Sequence, residues 1–125
     1  MTLNELATEI HDNAKRHGWW DEERSFGDIV ALCHSELSEA LEEYRSKRPM
    51  AYVWENKNLG NDLYCEEDMS KWGIQKPEGI ATEMIDCIIR ILDWCAKENV
   101  DVDKLLMAKH EYNKTRPFRN GGKVL

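Results

Sequence analysis

Apolar residues recur at intervals of three and four in four segments of the chain, a spacing typical of amphipathic α-helices. The first segment opens with the capping-box sequence Thr2-Leu3-Asn4-Glu5 and ends at Gly18, and Asp101 is placed to cap the last one. No segment alternates with a period of two for long enough to predict a strand. The four predicted helices cover about residues 2–18, 25–45, 77–99 and 101–115. The pattern therefore predicts an all-α fold in a single domain.

Residues 46–77 lose the helical periodicity and contain two prolines, two glycines and several aromatic residues among many polar ones. An irregular stretch of this length is unusual in a compact domain. We therefore expect an irregular insert that serves as a functional loop, or as a lid containing short helical pieces. Pro77 suits the first turn of a helix, so the third helix is expected to begin at Pro77 or Glu78.

Three acids of the second helix occupy an unusual position on the helical wheel. Glu36, Glu39 and Glu43 share an arc with Ile29 and Leu32, whereas the solvent side carries other polar residues. An unpaired carboxylate on a partly buried surface is costly, so a cation is expected near this arc.

The third helix shows the same design more sharply, because its apolar residues cover more than half of its circumference. These residues are Ile80, Met84, Ile85, Ile88, Ile89, Ile91, Leu92 and Cys95. So wide an apolar face predicts burial between the subunits of a symmetric oligomer. Glu83, Asp86, Arg90, Asp93 and Lys97 share the remaining arc.

Glu83 and Asp86 are three residues apart, so their side chains are neighbours on one helix face, and Glu36 and Glu39 repeat this spacing. Two packed helices with such pairs would form a cluster of four carboxylates, which are ligands suited to Mg²⁺ or Mn²⁺. A di-iron bundle would instead use Glu-x-x-His pairs, and no histidine here has that spacing. The alternative is that the acids are solvated surface charges of a helical adaptor.

Composition narrows the choice of partners. The 125 residues carry a net charge of −7; residues 104–125 hold six Lys or Arg and one acid, a net +5 that leaves −12 on residues 1–103. An acidic body argues against nucleic-acid binding, and no apolar stretch is long enough for a membrane span.

The N-terminus lacks the features of a signal peptide, and the four cysteines form no CxxC pair. We expect a cytoplasmic protein with reduced thiols.

The two acidic motifs of the chain are Ser35-Glu36-Leu37-Ser38-Glu39-Ala40-Leu41-Glu42-Glu43 and Glu83-Met84-Ile85-Asp86. Upstream are Gly18-Trp19-Trp20 and Arg24, and downstream is the tail from Lys109 to Lys123 that contains Tyr112-Asn113 and Arg116-Pro117-Phe118-Arg119. These motifs resemble those of the MazG-like family of all-α nucleoside triphosphate pyrophosphohydrolases. Together they span most of the chain outside residues 46–77.

The resemblance implies a four-helix bundle completed by dimerisation or tetramerisation, which hydrolyses a nucleoside triphosphate to monophosphate and pyrophosphate. It assigns Mg²⁺ (with Mn²⁺ as a substitute) to Glu36, Glu39, Glu83 and Asp86, which are both metal ligands and catalytic residues. The residues that it implies for holding the triphosphate are Lys109, Tyr112, Asn113, Arg116, Arg119 and Lys123. Apart from the resemblance, Trp20, Trp54 and Trp72 are candidates for stacking on the base, and Trp20 is counted among the substrate-binding residues; the alternative is that these side chains fill the core or an interface.

Two features depart from the family pattern. Ser35 stands where the family often has another Glu, so Glu43 is an alternative source of a ligand or base. The interval between Glu39 and Glu83 is also longer than usual. A non-catalytic relative that binds nucleotides or a protein partner through the same fold is the alternative function.

Overall fold

A computed structural model describes residues 1–53, 57–58 and 76–125. These residues are mostly helical, as the sequence predicted. The helices are α1 (Leu3–Arg16), α2 (Phe26–Arg45), α3 (Ile80–Lys97), α4 (Val102–Lys114) and a single turn, α5 (Arg119–Gly122). Most of the irregular insert predicted at residues 46–77, including Trp54 and Trp72, lies outside the described residues, and so does the fourth cysteine, Cys65.

The predicted helix caps are present. Thr2 accepts a hydrogen bond from the backbone N–H of Glu5, whose side chain accepts one from Thr2 in return, and Gly18 follows α1 with a φ of +81°. Ser25 and Asp28 form a second capping box at the start of α2. Each box satisfies N–H groups that the first helical turn leaves without partners. Short-range sequence therefore sets where these helices begin.

The chain divides into two compact units, residues 1–19 with 92–125 and residues 20–91. In the first unit, the backbone N–H groups of Leu3 and Asn4 donate to the two carboxylate oxygens of Asp103 at 3.1 and 3.0 Å. In return, the side-chain oxygen of Asn4 accepts a hydrogen bond of 2.8 Å from the N–H of Val102. The amino ends of α1 and α4 thus cap each other.

The carboxyl-terminal half of α1 is also held within this unit by a side-chain pair. Nδ1 of His11 lies 2.6 Å from a carboxylate oxygen of Asp93, and both side chains are largely buried. Ala7, Leu92 and Cys95 are the buried apolar residues of this unit among those described. Cys33, Cys87 and Cys95 are free thiols.

The second unit contains a small antiparallel sheet that the sequence did not predict. Its strands are β1 (Tyr52–Val53), β2 (Lys57–Asn58) and β3 (Pro77–Glu78), in the order β2-β1-β3. Pro77 and Glu78, expected to start the third helix, instead pair with Val53 and Tyr52. The prediction was wrong because period-two patterning cannot be detected in two-residue strands.

Gly79 separates β3 from α3 and explains why the helix begins where it does. Its φ is +115°, which L side chains rarely adopt, and a Cβ there would lie 2.5 Å from the carbonyl oxygen of Met50. The same oxygen accepts a hydrogen bond of 2.9 Å from the N–H of Ala81. This contact holds the first turn of α3, just before Glu83, against the segment that follows α2.

The apolar arcs of α2 and α3 are largely exposed in the single chain. On α3, Met84, Ile85, Ile88 and Ile91 have 45–51% of their surface accessible. On α2 the exposed residues are Phe26, Val30, Leu37, Leu41 and Tyr44. Within the described residues, no helix carries an apolar stretch long enough to cross a membrane.

Candidate metal centre

Three of the four predicted ligands come together between α2 and α3. Glu36, Glu39 and Glu83 each offer a carboxylate oxygen, and these oxygens all lie within 4.8 Å of one another. Glu36 is buried, Glu83 is half-buried and Glu39 is exposed, so the cluster opens to solvent on the Glu39 side. We refer to these three residues as the acidic centre, and they could hold a metal ion.

Asp86, the fourth predicted ligand, lies on the same helix as Glu83 but outside this group. It is half-buried, and burial together with the charge of Glu36 raises its pKa. Lys76 and Arg90 act in the opposite direction. Asp86 is therefore electrostatically part of the site, although its oxygens are not among those within 4.8 Å of one another.

Charge repulsion and burial act strongly on the acidic centre. Burial, followed by contact with Glu39, raises the pKa of Glu83 to about 7. Contact with Glu36 and burial likewise raise the pKa of Glu39. Carboxylates this close cannot all ionise easily without a nearby positive charge. The electrostatics of the centre therefore favour a bound cation or a shared proton.

Arg90 supplies one positive charge to this site, a role that its place on the polar arc of the third helix did not by itself reveal. Its Nε donates a hydrogen bond of 2.7 Å to Oε1 of Glu36. Burial alone would raise the pKa of Glu36, but Arg90 and the contacts with Glu39 and Glu83 lower it. The signal in the sequence was the spacing of Arg90, which lies four residues after Asp86 and seven after Glu83 on the same helical face.

Glu43, considered as a replacement ligand, has a different partner. The hydroxyl of Tyr52 lies 3.0 Å from each of its carboxylate oxygens and donates to them. Tyr52 is only 5% exposed, and the guanidinium of Arg48 lies 5.9 Å from the centroid of its ring. Glu43 thus links the end of α2 to strand β1, and it is not one of the three acids of the acidic centre.

The predicted phosphate-binding residues lie in the first unit, where three of them form one cluster. Nζ of Lys109 and the guanidinium carbon of Arg116 lie 5.0 and 5.9 Å from the ring centroid of Tyr112. The ring is exposed, and cations near an aromatic face are attracted by its electrons. Asn113, one residue from Tyr112, is also exposed.

The tail beyond Pro117 presents the remaining basic residues. All four residues of α5 have positive φ, including the non-glycine residues Arg119 and Asn120 at +50° and +51°. Lys123 follows this turn and is exposed, as is Arg119. Trp20, at the start of the second unit, is half-buried.

The acidic centre is an all-oxygen donor set, which suits hard divalent cations such as Mg²⁺ rather than metals that prefer thiolate or imidazole. It could hold a metal ion, and the exposed Glu39 leaves one side of the centre open to solvent. No protein-family model, curated protein or solved structure matches this chain.

Proposed function

We propose that this protein is a Mg²⁺-dependent nucleoside triphosphate pyrophosphohydrolase of the MazG-like type. The observation that carries the proposal is the convergence of Glu36, Glu39 and Glu83, two acids on α2 and one on α3, with carboxylate oxygens within 4.8 Å of one another. The resemblance of the acidic motifs to that family independently assigns these three residues, together with Asp86, to a metal ion.

The residues present fit a divalent cation. The raised pKa of both Glu39 and Glu83 reflects negative charge crowded into one place, which a cation would relieve. Bound Mg²⁺ would supply charge neutralisation on the phosphate oxygens and lower the pKa of a coordinated water. Hydrolysis of a triphosphate mainly requires these effects together with an in-line water.

The chain's own residues divide the remaining work. Glu39 is the exposed acid of the centre, so it is best placed to orient a water molecule that enters from solvent. Glu36 is buried and fixed by Arg90, which suits a ligand rather than a mobile base. Lys109, Tyr112 and Arg116 form a cationic and aromatic cluster that suits a triphosphate, since guanidinium groups match phosphate oxygens.

A screen of the common ribo- and deoxynucleoside triphosphates with Mg²⁺ tests the reaction. The expected products are the monophosphate and pyrophosphate, from cleavage between the α and β phosphates. Glu83→Gln should abolish turnover, whereas Glu42→Gln, on the exposed face of α2, is the matched control and should be fully active. Release of orthophosphate and a nucleoside diphosphate would reject the assignment. Tight binding of nucleotide without turnover would favour a non-catalytic member of the same fold.

We also propose that the protein is a homo-oligomer, either a dimer or a tetramer. Helix α3 exposes several large apolar side chains when the chain is considered alone. Exposed apolar surfaces of this kind are typically covered by a second subunit. Light scattering at micromolar protein should give a multiple of the 14.6 kDa chain mass. Ile88→Asp should reduce that mass, whereas Val124→Asp, in the exposed tail, should not. A strictly monomeric wild-type protein would contradict the proposal.

A further inference from the structure

The ion pair between Arg90 and Glu36 is unusual for its position. Glu36 is the most buried charged residue among those described, with 6% of its surface exposed. Its partner, Arg90, lies 54 positions later in the sequence. The 2.7 Å distance between Nε and Oε1 is that of a strong charge-assisted hydrogen bond. The side chain of Arg90 is one-third exposed, so the guanidinium lies at the edge of the buried region.

Stability alone does not account for this pair. Replacing a buried ion pair by apolar residues often leaves the free energy of unfolding unchanged or increases it. The reason is that the free energy needed to remove two charges from water can equal or exceed the free energy gained from their attraction. The neighbouring positions Ile89 and Ile91 show that this part of α3 readily carries apolar side chains. A charged pair at this point therefore has to be explained by what surrounds it.

What surrounds it is the acidic centre. Glu36 contacts Arg90 and also the carboxyl groups of Glu39 and Glu83, so it joins the arginine to the other two acids. Arg90 also interacts electrostatically with Glu39 and with Asp86. The rigid guanidinium plane fixes the direction of its Nε–H bond, which lysine cannot do.

We infer that Arg90 is a positioning residue of the acidic centre: by holding Oε1 of Glu36 through Nε–H, it presents Oε2 of that carboxylate to a bound cation. The inference rests on the proposed metal-dependent function. Hydrogen bonds to ligating side chains orient them, and loss of such partners typically reduces metal affinity about 10- to 100-fold. Arg90 thus acts through Glu36 rather than by touching metal or substrate.

A double-mutant cycle read by calorimetric titration with Mn²⁺ tests this role in the full-length protein. Arg90→Ala should weaken Mn²⁺ binding about tenfold or more. In the Glu36→Gln background the same substitution should change the affinity less than about twofold, because its target has been removed. Arg45→Ala, an exposed arginine on α2, is the matched control and should bind Mn²⁺ like the wild type. Equal losses in both backgrounds would overturn the inference, and so would tighter binding, which would make Arg90 a competitor of the metal.

Chemical rescue separates positioning from a structural role. Added guanidinium ion at low millimolar concentration should restore part of the Mn²⁺ affinity of Arg90→Ala, and it should not affect the wild type. Arg90→Lys keeps a positive charge beside Glu36, so it remains informative if the alanine variant does not fold. The lysine variant should fold but still bind Mn²⁺ several-fold more weakly, since it lacks the fixed Nε–H direction. Wild-type affinity in Arg90→Lys would overturn the inference.

The cycle also distinguishes this inference from the proposed function. A wild-type protein that binds no Mn²⁺ would defeat the metal-dependent function itself. A wild-type protein that binds Mn²⁺, loses it in Glu83→Gln and shows no coupling between Arg90 and Glu36 would leave the function standing. Only the role of Arg90 would then be lost.

Discussion

The hydroxyl of Tyr52 lies 3.0 Å from both carboxylate oxygens of Glu43, so one buried side chain holds the last acid of the α2 series. Glu36, Glu39 and Glu43 follow one face of α2, yet the first two belong to the acidic centre and the third to the sheet.

Tyr52→Phe should reduce the free energy of unfolding by about 1.5–3 kcal/mol, because Glu43 loses a donor in a half-buried position. Chemical denaturation measures this loss. Tyr44→Phe is the matched control, since Tyr44 is 68% exposed on the same helix. Mn²⁺ affinity should stay unchanged in both variants. A large loss of Mn²⁺ binding in Tyr52→Phe would show that Glu43 contributes to the metal site after all.

Neutralising two acids of the centre should change metal-free stability in opposite directions. Glu83→Gln removes a carboxylate that is repelled by its neighbours, so this variant should be more stable than the wild type. Glu36→Gln instead weakens the charge-assisted hydrogen bond with Arg90 and should cost about 2 kcal/mol. Thermal unfolding in EDTA measures both shifts. Shifts of the same sign would show that Arg90 does not offset the repulsion at Glu36.

Metal-free stability should fall as the pH rises from about 4.5 to about 7. The pKa of Glu83 is raised from 4.5 to about 7 in the folded protein, so the folded state keeps a proton that the unfolded chain releases in this window. The stabilisation is complete below pH 4.5 and is lost by about pH 7. The raised pKa of Glu39 acts in the same direction, whereas the lowered pKa of Glu36 acts at more acidic pH.

Thermal midpoints in EDTA at about pH 5 and about pH 7.5 test this dependence. The midpoint should be lower at the higher pH, and Glu83→Gln should remove most of the difference. Adding Mn²⁺ at the higher pH should raise the wild-type midpoint, because an ion that binds only the folded state stabilises it. A midpoint in EDTA that rises from pH 5 to pH 7.5 would contradict the assignment of a raised pKa to Glu83.

The basic tail should serve the substrate rather than the fold. Residues beyond Thr115 are mostly exposed, and Phe118 is 85% exposed, so their removal should hardly change the thermal midpoint or Mn²⁺ binding. It should lower kcat/KM by about 1.5–3 kcal/mol of transition-state stabilisation for each charged hydrogen bond lost. Removing only Val124 and Leu125 is the control and should not affect kcat/KM. Full kcat/KM in the longer truncation would show that the tail has no part in catalysis.

The sequence alone determined the features that depend on neighbouring residues. The capping residues Thr2 and Asp101 mark the starts of two helices, because a cap needs only a side chain and the N–H groups of the next turn. The pairing of Glu36 with Glu39 was also visible, since residues three apart lie on one helix face.

Only the tertiary structure decided which partners these residues have. Arg90 forms an ion pair with Glu36, 54 positions away in sequence, and the hydroxyl of Tyr52 donates a hydrogen bond to Glu43. Strand β3 occupies the residues expected to form the first turn of the third helix. Each of these depends on the rotation and offset of one element against another. The close approach of Gly79 to the Met50 carbonyl helps to set that placement for the start of α3. Periodicity within a helix carries no information about such offsets. The sequence therefore identified the acids of α2, but it could not show that Glu36 and Glu39 join Glu83 whereas Glu43 contacts Tyr52.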